Sequence, residues 1–116
     1  MKIGIPTNGK GGLNEMIEPH FGKAMTYTIV DTESGEVSVI GNDSDHYGGT
    51  LNPPELLQKA GVETVITANL GRKAVAMLNQ LGMAVYSGAQ GTVDDALLAF
   101  KMGYLQPADD NTSCNH

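Results

Sequence analysis

Val62-Glu-Thr-Val-Ile-Thr-Ala-Asn-Leu-Gly-Arg-Lys-Ala-Val-Ala-Met-Leu-Asn-Gln-Leu-Gly-Met-Ala-Val-Tyr86 carries two hydrophobic rhythms in succession. Val62 to Ala68 is a short apolar run rich in β-branched residues, expected as a strand buried on both faces. From Leu70 the apolar positions Ala74, Met77, Leu78 and Leu81 fall at i, i+3, i+4 and i+7, one face of a helix that Gly82 stops. Met83 to Tyr86 is short, apolar and strand-like again. Strand, helix and strand in this order form a crossover unit, and such units belong to sheets with helices packed on them.

The neighbouring segments extend the pattern in both directions. Thr92-Val-Asp-Asp95 is a capping box, and Val93, Ala96, Leu97 and Phe100 continue it as a helix ending near Gly103. Upstream, Asn52-Pro-Pro-Glu55 reads as a helix start, with Asn as N-cap, Pro at the first helical position and Glu in the first turn; that helix should end at Gly61. Lys2 to Pro6 reads as a strand. Met25 to Asp31 alternates large apolar and polar residues, Thr32-Glu-Ser-Gly35 makes a turn, and Glu36 to Ile40 returns as a hairpin partner. The expected order is β-β-β-α-β-α-β-α in one mixed α/β sheet, with a single domain over residues 1–105 and a polar, mobile tail over 106–116.

Composition sets bounds on function. The chain has 116 residues, enough for one core, and a formal net charge of −6, which opposes general binding to nucleic acid or anionic lipid. No apolar run approaches a membrane span, and the opening residues read as a strand rather than a signal peptide, so a cytoplasmic protein is expected. One cysteine, Cys114, excludes an intrachain disulfide. The Gly-rich stretch Asn8-Gly-Lys-Gly-Gly12 has neither phosphate-loop nor dinucleotide spacing. Asp94 and Asp95 serve a helix cap, Asp31 adjoins a turn, and Glu15, Glu18, Asp43 and Asp45 have no fixed spacing; the acids make no catalytic set, and no enzyme is expected.

If the last two strands run parallel to the first, the loops Thr7–Lys23, Gly41–Asn52, Ala68–Gly71 and Ser87–Gly91 open on one edge, where ligands of open α/β sheets bind. These loops contribute Asn69, Gly71 and Gly88. Four of seven cations, Lys10, Lys23, Arg72 and Lys73, map to that edge. Arg72 and Lys73 sit in the first turn of a helix, where positive charge is unfavourable unless an anion arrives. The candidate metal ligands are His20, His46, Cys114 and His116, the last two in the tail.

His20-Phe21-Gly22, Thr67-Ala-Asn-Leu-Gly71, Met83-Ala-Val-Tyr-Ser-Gly88 and Gly91-Thr-Val-Asp-Asp-Ala96 resemble the dinitrogenase iron-molybdenum cofactor biosynthesis family over residues 1 to 105. The resemblance implies a ribonuclease H-like, three-layer fold with a five-stranded mixed sheet. It also implies a binding or carrier role for a molybdenum- or iron-containing metal–sulfur cofactor or its precursor, without catalysis. His20 is then the expected cofactor contact, with Phe21 and Gly22 shaping the pocket. Cofactor-synthesis or acceptor proteins would be its partners, and a monomer or weak homodimer its state. The rival readings are a cofactor-free interaction module and a metal-dependent hydrolase.

Overall fold

The computed structural model describes residues 1–42 and 52–108. The sheet has six strands in the order β3-β2-β1-β4-β5-β6: β1 (Lys2–Thr7), β2 (Thr26–Asp31), β3 (Val37–Gly41), β4 (Thr64–Ile66), β5 (Ala84–Ser87) and β6 (Gln106–Ala108). The helices are α1 (Pro53–Lys59), α2 (Arg72–Gln80) and α3 (Val93–Lys101), and a 3-10 turn spans Phe21–Lys23. The eight expected elements therefore occur in the expected order.

The resemblance implied five strands; there are six. Gln106–Ala108 pairs antiparallel with β5, with Gln106 opposite Ser87 and Ala108 opposite Val85. Its polar composition concealed it, because an edge strand can leave its side chains in water. Gly103, at φ 81, turns the chain back after α3 and delivers Leu105 into the core. The strand expected over Val62 to Ala68 is shorter than the apolar run. Val62 instead closes α1, its N–H donating to Leu57 O at 3.1 Å, and Thr67 hydrogen-bonds beyond the ladder.

Strand direction follows from the pairing. β1 lies antiparallel to β2 and parallel to β4, and β4 is parallel to β5, so β1, β3, β4 and β5 all point their carboxyl ends to one edge. Alternation along the strands divides the core in two. Tyr27, Ile29, Val65 and Val85 pack with Leu57, Val75 and Leu78 of α1 and α2. Ile3, Ile5, Val30 and Ile66 pack with Val93 and Ala96 of α3. The result is three layers, helix, sheet, helix. Gly4 suits its place on β1: a Cβ there would lie 3.2 Å from both Leu57 and Val62, a tight fit, so its absence lets α1 sit close to the sheet.

The capping box at Thr92 forms, and the N-cap at Asn52 proves to be one as well. Asn52 Oδ1 accepts from Glu55 N at 3.0 Å, and Thr92 Oγ1 accepts from Asp95 N at 3.1 Å, each with the reciprocal carboxylate bond. The N-cap of α2 is Gly71, and it makes no side-chain cap bond.

Candidate functional site

The loop after β1 crosses the carboxyl edge from one face of the sheet to the other. Its first part stays on the α3 side, where Gly12 N donates to Thr28 Oγ1 at 3.0 Å and Ile17 joins the core beneath α3. Ile17 N then bonds Gly91 O at 2.9 Å, and the chain passes over to place Phe21 and Ala24 in the α1–α2 core. Lys10 therefore belongs to one side, and His20 to Lys23 to the other.

The His20–Lys23 turn is pinned from below. Phe21 is buried, and its ring lies 5.2 Å from that of Tyr27, centroid to centroid, at a tilt of 48°. The Tyr27 hydroxyl donates to Phe21 O at 2.8 Å. Asn42 Nδ2 donates to Ala24 O at 2.9 Å and to Gly22 O at 3.3 Å. His20 pairs as a β-bridge with Asn69, which ties the turn to the loop between β4 and α2.

Between these two segments and the start of α1 lies an open cavity of about 540 Å³. Its walls include His20, Phe21, Gly22, Asn69, Gly71 and Lys73 from the expected set. Lys23, Asn52, Pro53, Pro54 and Met77 are also among them. Lys10, Arg72 and Gly88 are not part of these walls. Gly88 N donates to Ala68 O at 2.9 Å, and the chain beyond it turns into the α3-side core at Ala89. His46, Cys114 and His116 lie outside the described residues.

The sequence marks Asn52, Pro53 and Pro54 only as a helix start, and Met77 only as a core position. Their part in the cavity follows from α1 and α2 both beginning at the same edge, which needs strand order rather than local pattern. Met77 is 39% exposed and looks into the cavity instead of the core.

Two details shape what the cavity can hold. His20 Nδ1 stands 3.4 Å from Glu18 Oε1, the same oxygen that accepts from His20 N at 3.1 Å. An ionised carboxylate only accepts, so in a neutral imidazole the proton sits on Nδ1, and Nε2 keeps its lone pair for an outside partner. Second, a Cβ at Gly22 or Gly71 would meet no atom of the described residues within 4 Å, and neither backbone is left-handed. Packing among the described residues does not demand glycine at either position, and both line the cavity.

Among the described residues no three His, Cys, Asp or Glu side chains converge as a metal site. The acids have structural duties. Asp31 Oδ1 accepts from Glu33 N at 2.9 Å and Ser34 N at 3.4 Å, which holds its carboxyl below the usual range. A second cavity, about 570 Å³, lies at the amino end of β1 under α3, walled by Ile3, Val30, Leu97 and Phe100. Its charged walls are Asp31, Asp94 and Lys101, whereas among the described residues the carboxyl-edge cavity carries Lys23 and Lys73 and no acid, so the latter is the better candidate for an anionic ligand.

A three-layer α/β domain with an open, cation-bearing cavity at its carboxyl edge is the class that these observations define. The chain belongs to the dinitrogenase iron-molybdenum cofactor family, whose model matches residues 1–103. A Methanocaldococcus jannaschii protein of uncharacterised function is 31% identical over 111 residues, covering 91% of this chain and 90% of its own. The apo form of the orange protein from Desulfovibrio gigas superposes with a TM-score of 0.80 at 27% identity, covering 92% of each chain. A Thermotoga protein solved as a proposed NifB protein superposes at 0.78 with 32% identity, over 99% of this chain and 97% of its own. Among the described residues no helix is long and apolar enough to cross a membrane.

Proposed function

We propose that this chain binds and carries an anionic metal–sulfur cofactor, or a precursor of one, in the cavity between the His20–Lys23 turn and the start of α2. The observation that carries the reading is the uncapped beginning of α2, set in a cavity wall with Lys23 and Lys73 and two glycines that packing does not require. Helix-start amides and ammonium groups suit a multiply charged anion, and the macrodipole adds to them. In a chain of net charge −6, a cationic wall is a local reversal of the field and not a general property.

The donor set fits a cargo that brings its own sulfide ligands. His20 offers one nitrogen, oriented by Glu18; the remaining contacts are N–H groups, cations and the apolar faces of Met77 and Pro53. Met77 and the prolines give a polarizable cluster an apolar surface to rest against. Family membership and the likeness to the orange protein support a cofactor-related binding role. Carriage is favoured over catalysis by the engagement of Asp31 in a turn and Asp95 in the α3 cap, with Asp94 beside it in the first turn of that helix. A cofactor-synthesis protein would supply the cargo and an acceptor protein would receive it.

The reading is tested by isolating the protein without oxygen and assaying molybdenum, iron and acid-labile sulfide per chain, alongside its visible spectrum. A coloured protein with metal and sulfide in fixed proportion supports carriage. A colourless protein that also takes up no thiometalate added in vitro removes it and leaves the cofactor-free interaction module.

A further inference from the structure

The two edges of the sheet are unlike. β6 is three residues long and carries Pro107, which has no N–H to offer, a common means of closing an edge to other chains. β3, at the other edge, is Val37-Ser-Val-Ile-Gly41, five residues with no proline and no charge. Its hydrogen-bond phase can be read from its ends. Asp31 N donates to Glu36 O at 2.9 Å and Asn42 N to Met25 O at 3.0 Å, so positions 36, 38, 40 and 42 face β2. The N–H and C=O groups of Val37, Val39 and Gly41 therefore point outward. Among the described residues nothing meets them.

We propose that β3 is a homodimerisation edge, and that its occupant is β3 of a second copy, antiparallel, with the two-fold axis at Val39. The three outward residues are symmetric about Val39, so one register uses all of them. Val39 pairs with Val39 of the second copy, Val37 with its Gly41, and Gly41 with its Val37. Each such closely spaced pair exchanges two bonds, about six in all. No other antiparallel register engages every outward group.

Side chains agree with this register. Val37 and Val39, 37% and 39% exposed, lie on the α3 side, and in the dimer the four valines of two copies form one covered stripe. Gly41 leaves room opposite Val37. Glu36 comes opposite Asn42 and not another acid, so the strand pair contains no like-charge contact. Because the axis is perpendicular to the sheet, the carboxyl edges of the copies point in opposite directions, and both cavities stay open. Association does not depend on the carrier reading.

Two chains of charge −6 repel, while the paired segments Val37–Gly41 carry no charge, so the dimer strengthens as salt is added. The experiment is sedimentation equilibrium of the full chain from about 0.01 to about 1 M salt, over which the screening length falls from about 30 to about 3 Å. It is paired with amide hydrogen exchange at low and high protein concentration. The wild type should form a dimer that tightens with salt. The Val37, Val39 and Gly41 amides should gain protection with concentration, while those of Ser38 and Ile40 are protected throughout. Val39→Pro leaves the β2 ladder intact, since its N–H faces away, and should weaken association at least about tenfold as both copies lose a donor at the axis. Val39→Lys, which sets like charges opposite each other, should do the same, whereas Gln106→Lys on β6 should not. A wild type that stays monomeric at high salt overturns the proposal. So does a dimer that both Val39 variants leave unchanged while folded.

Discussion

The hydroxyl of Tyr27 donates to the carbonyl oxygen of Phe21 at 2.8 Å, and this bond joins the beginning of β2 to the turn that carries His20. Both partners are buried, and the two rings lie against each other. A core strand thereby fixes the height at which His20, Gly22 and Lys23 stand over the sheet. Tyr27→Phe removes the donor and leaves a buried carbonyl with only the long 3.4 Å bond from Ala24 N. A loss of about 1–2 kcal/mol is expected, with the ring packing retained. Urea unfolding measures it.

The same tyrosine sets an alkaline limit. Burial holds its phenol well above the ordinary value of 10.0. The folded chain thus keeps a proton that the unfolded chain gives up, so stability is full below pH 10 and falls as pH rises above it. Melting temperature followed from neutral to high pH should show this fall in the wild type. Tyr27→Phe should show a shallower one.

Asp31 acts at the other end of the scale. Hydrogen bonds from the Glu33 and Ser34 amides hold its carboxyl below 3.8, so its contribution is present above that pH and is lost as pH falls through the lowered value. Asp31→Asn keeps a turn-forming side chain but titrates no proton. It should flatten the acid limb of the stability profile, a difference visible by circular dichroism on acid titration.

Much of this architecture is legible in the chain, and the exceptions have physical causes. The i, i+3, i+4, i+7 series ending at Leu81, the N-cap at Asn52 and the capping box at Thr92 identify α2, α1 and α3, because caps and amphipathic faces are local. β6 was not legible: Gln106, Pro107 and Ala108 have no strand pattern, and only the exposed flank of β5 makes them one. The candidate cavity was legible in outline from the parallel strands, which bring His20, Asn69, Gly71 and Lys73 to one edge. Its sidedness was not. Whether a loop ends on the α3 face, as at Lys10 and Gly88, or on the α1–α2 face depends on Ile17 and Ala89 docking in the second core. No spacing rule encodes that choice.

Gly71 offers a test in which stability and binding move in opposite directions. Its φ of −68 and ψ of 156 suit any N-cap residue. Gly71→Asp should supply the missing cap and raise stability by a few tenths of a kcal/mol or more. It should also occupy the amides at the start of α2 and place a negative charge in the cavity wall, abolishing anion binding. Thermal unfolding and a thiometalate titration on the same sample read both effects.

His20 and Glu18 separate ligation from orientation. His20→Ala removes the nitrogen donor and should weaken cargo binding severalfold with little change in its salt dependence. Glu18→Gln keeps an oxygen near Nδ1 but loses the charge that favours the Nδ1–H tautomer. Its effect should be smaller and of the same sign, and the His20 imidazole nitrogen shifts in NMR report the tautomer directly.

The central claim, that cations and helix-start amides around this cavity hold an anionic metal–sulfur cargo, is tested most directly by titrating the cargo-free protein with tetrathiomolybdate at low and high salt. Wild type and Lys23→Gln/Lys73→Gln should be compared. The account predicts saturable binding at one equivalent per chain that weakens with salt. It predicts a double variant that folds normally, binds severalfold more weakly and shows a flatter salt dependence, since each exposed pairing at a helix start contributes roughly 0.3–1 kcal/mol. Absence of saturable binding to the wild type, or binding that the double variant leaves untouched at both salt concentrations, would contradict it.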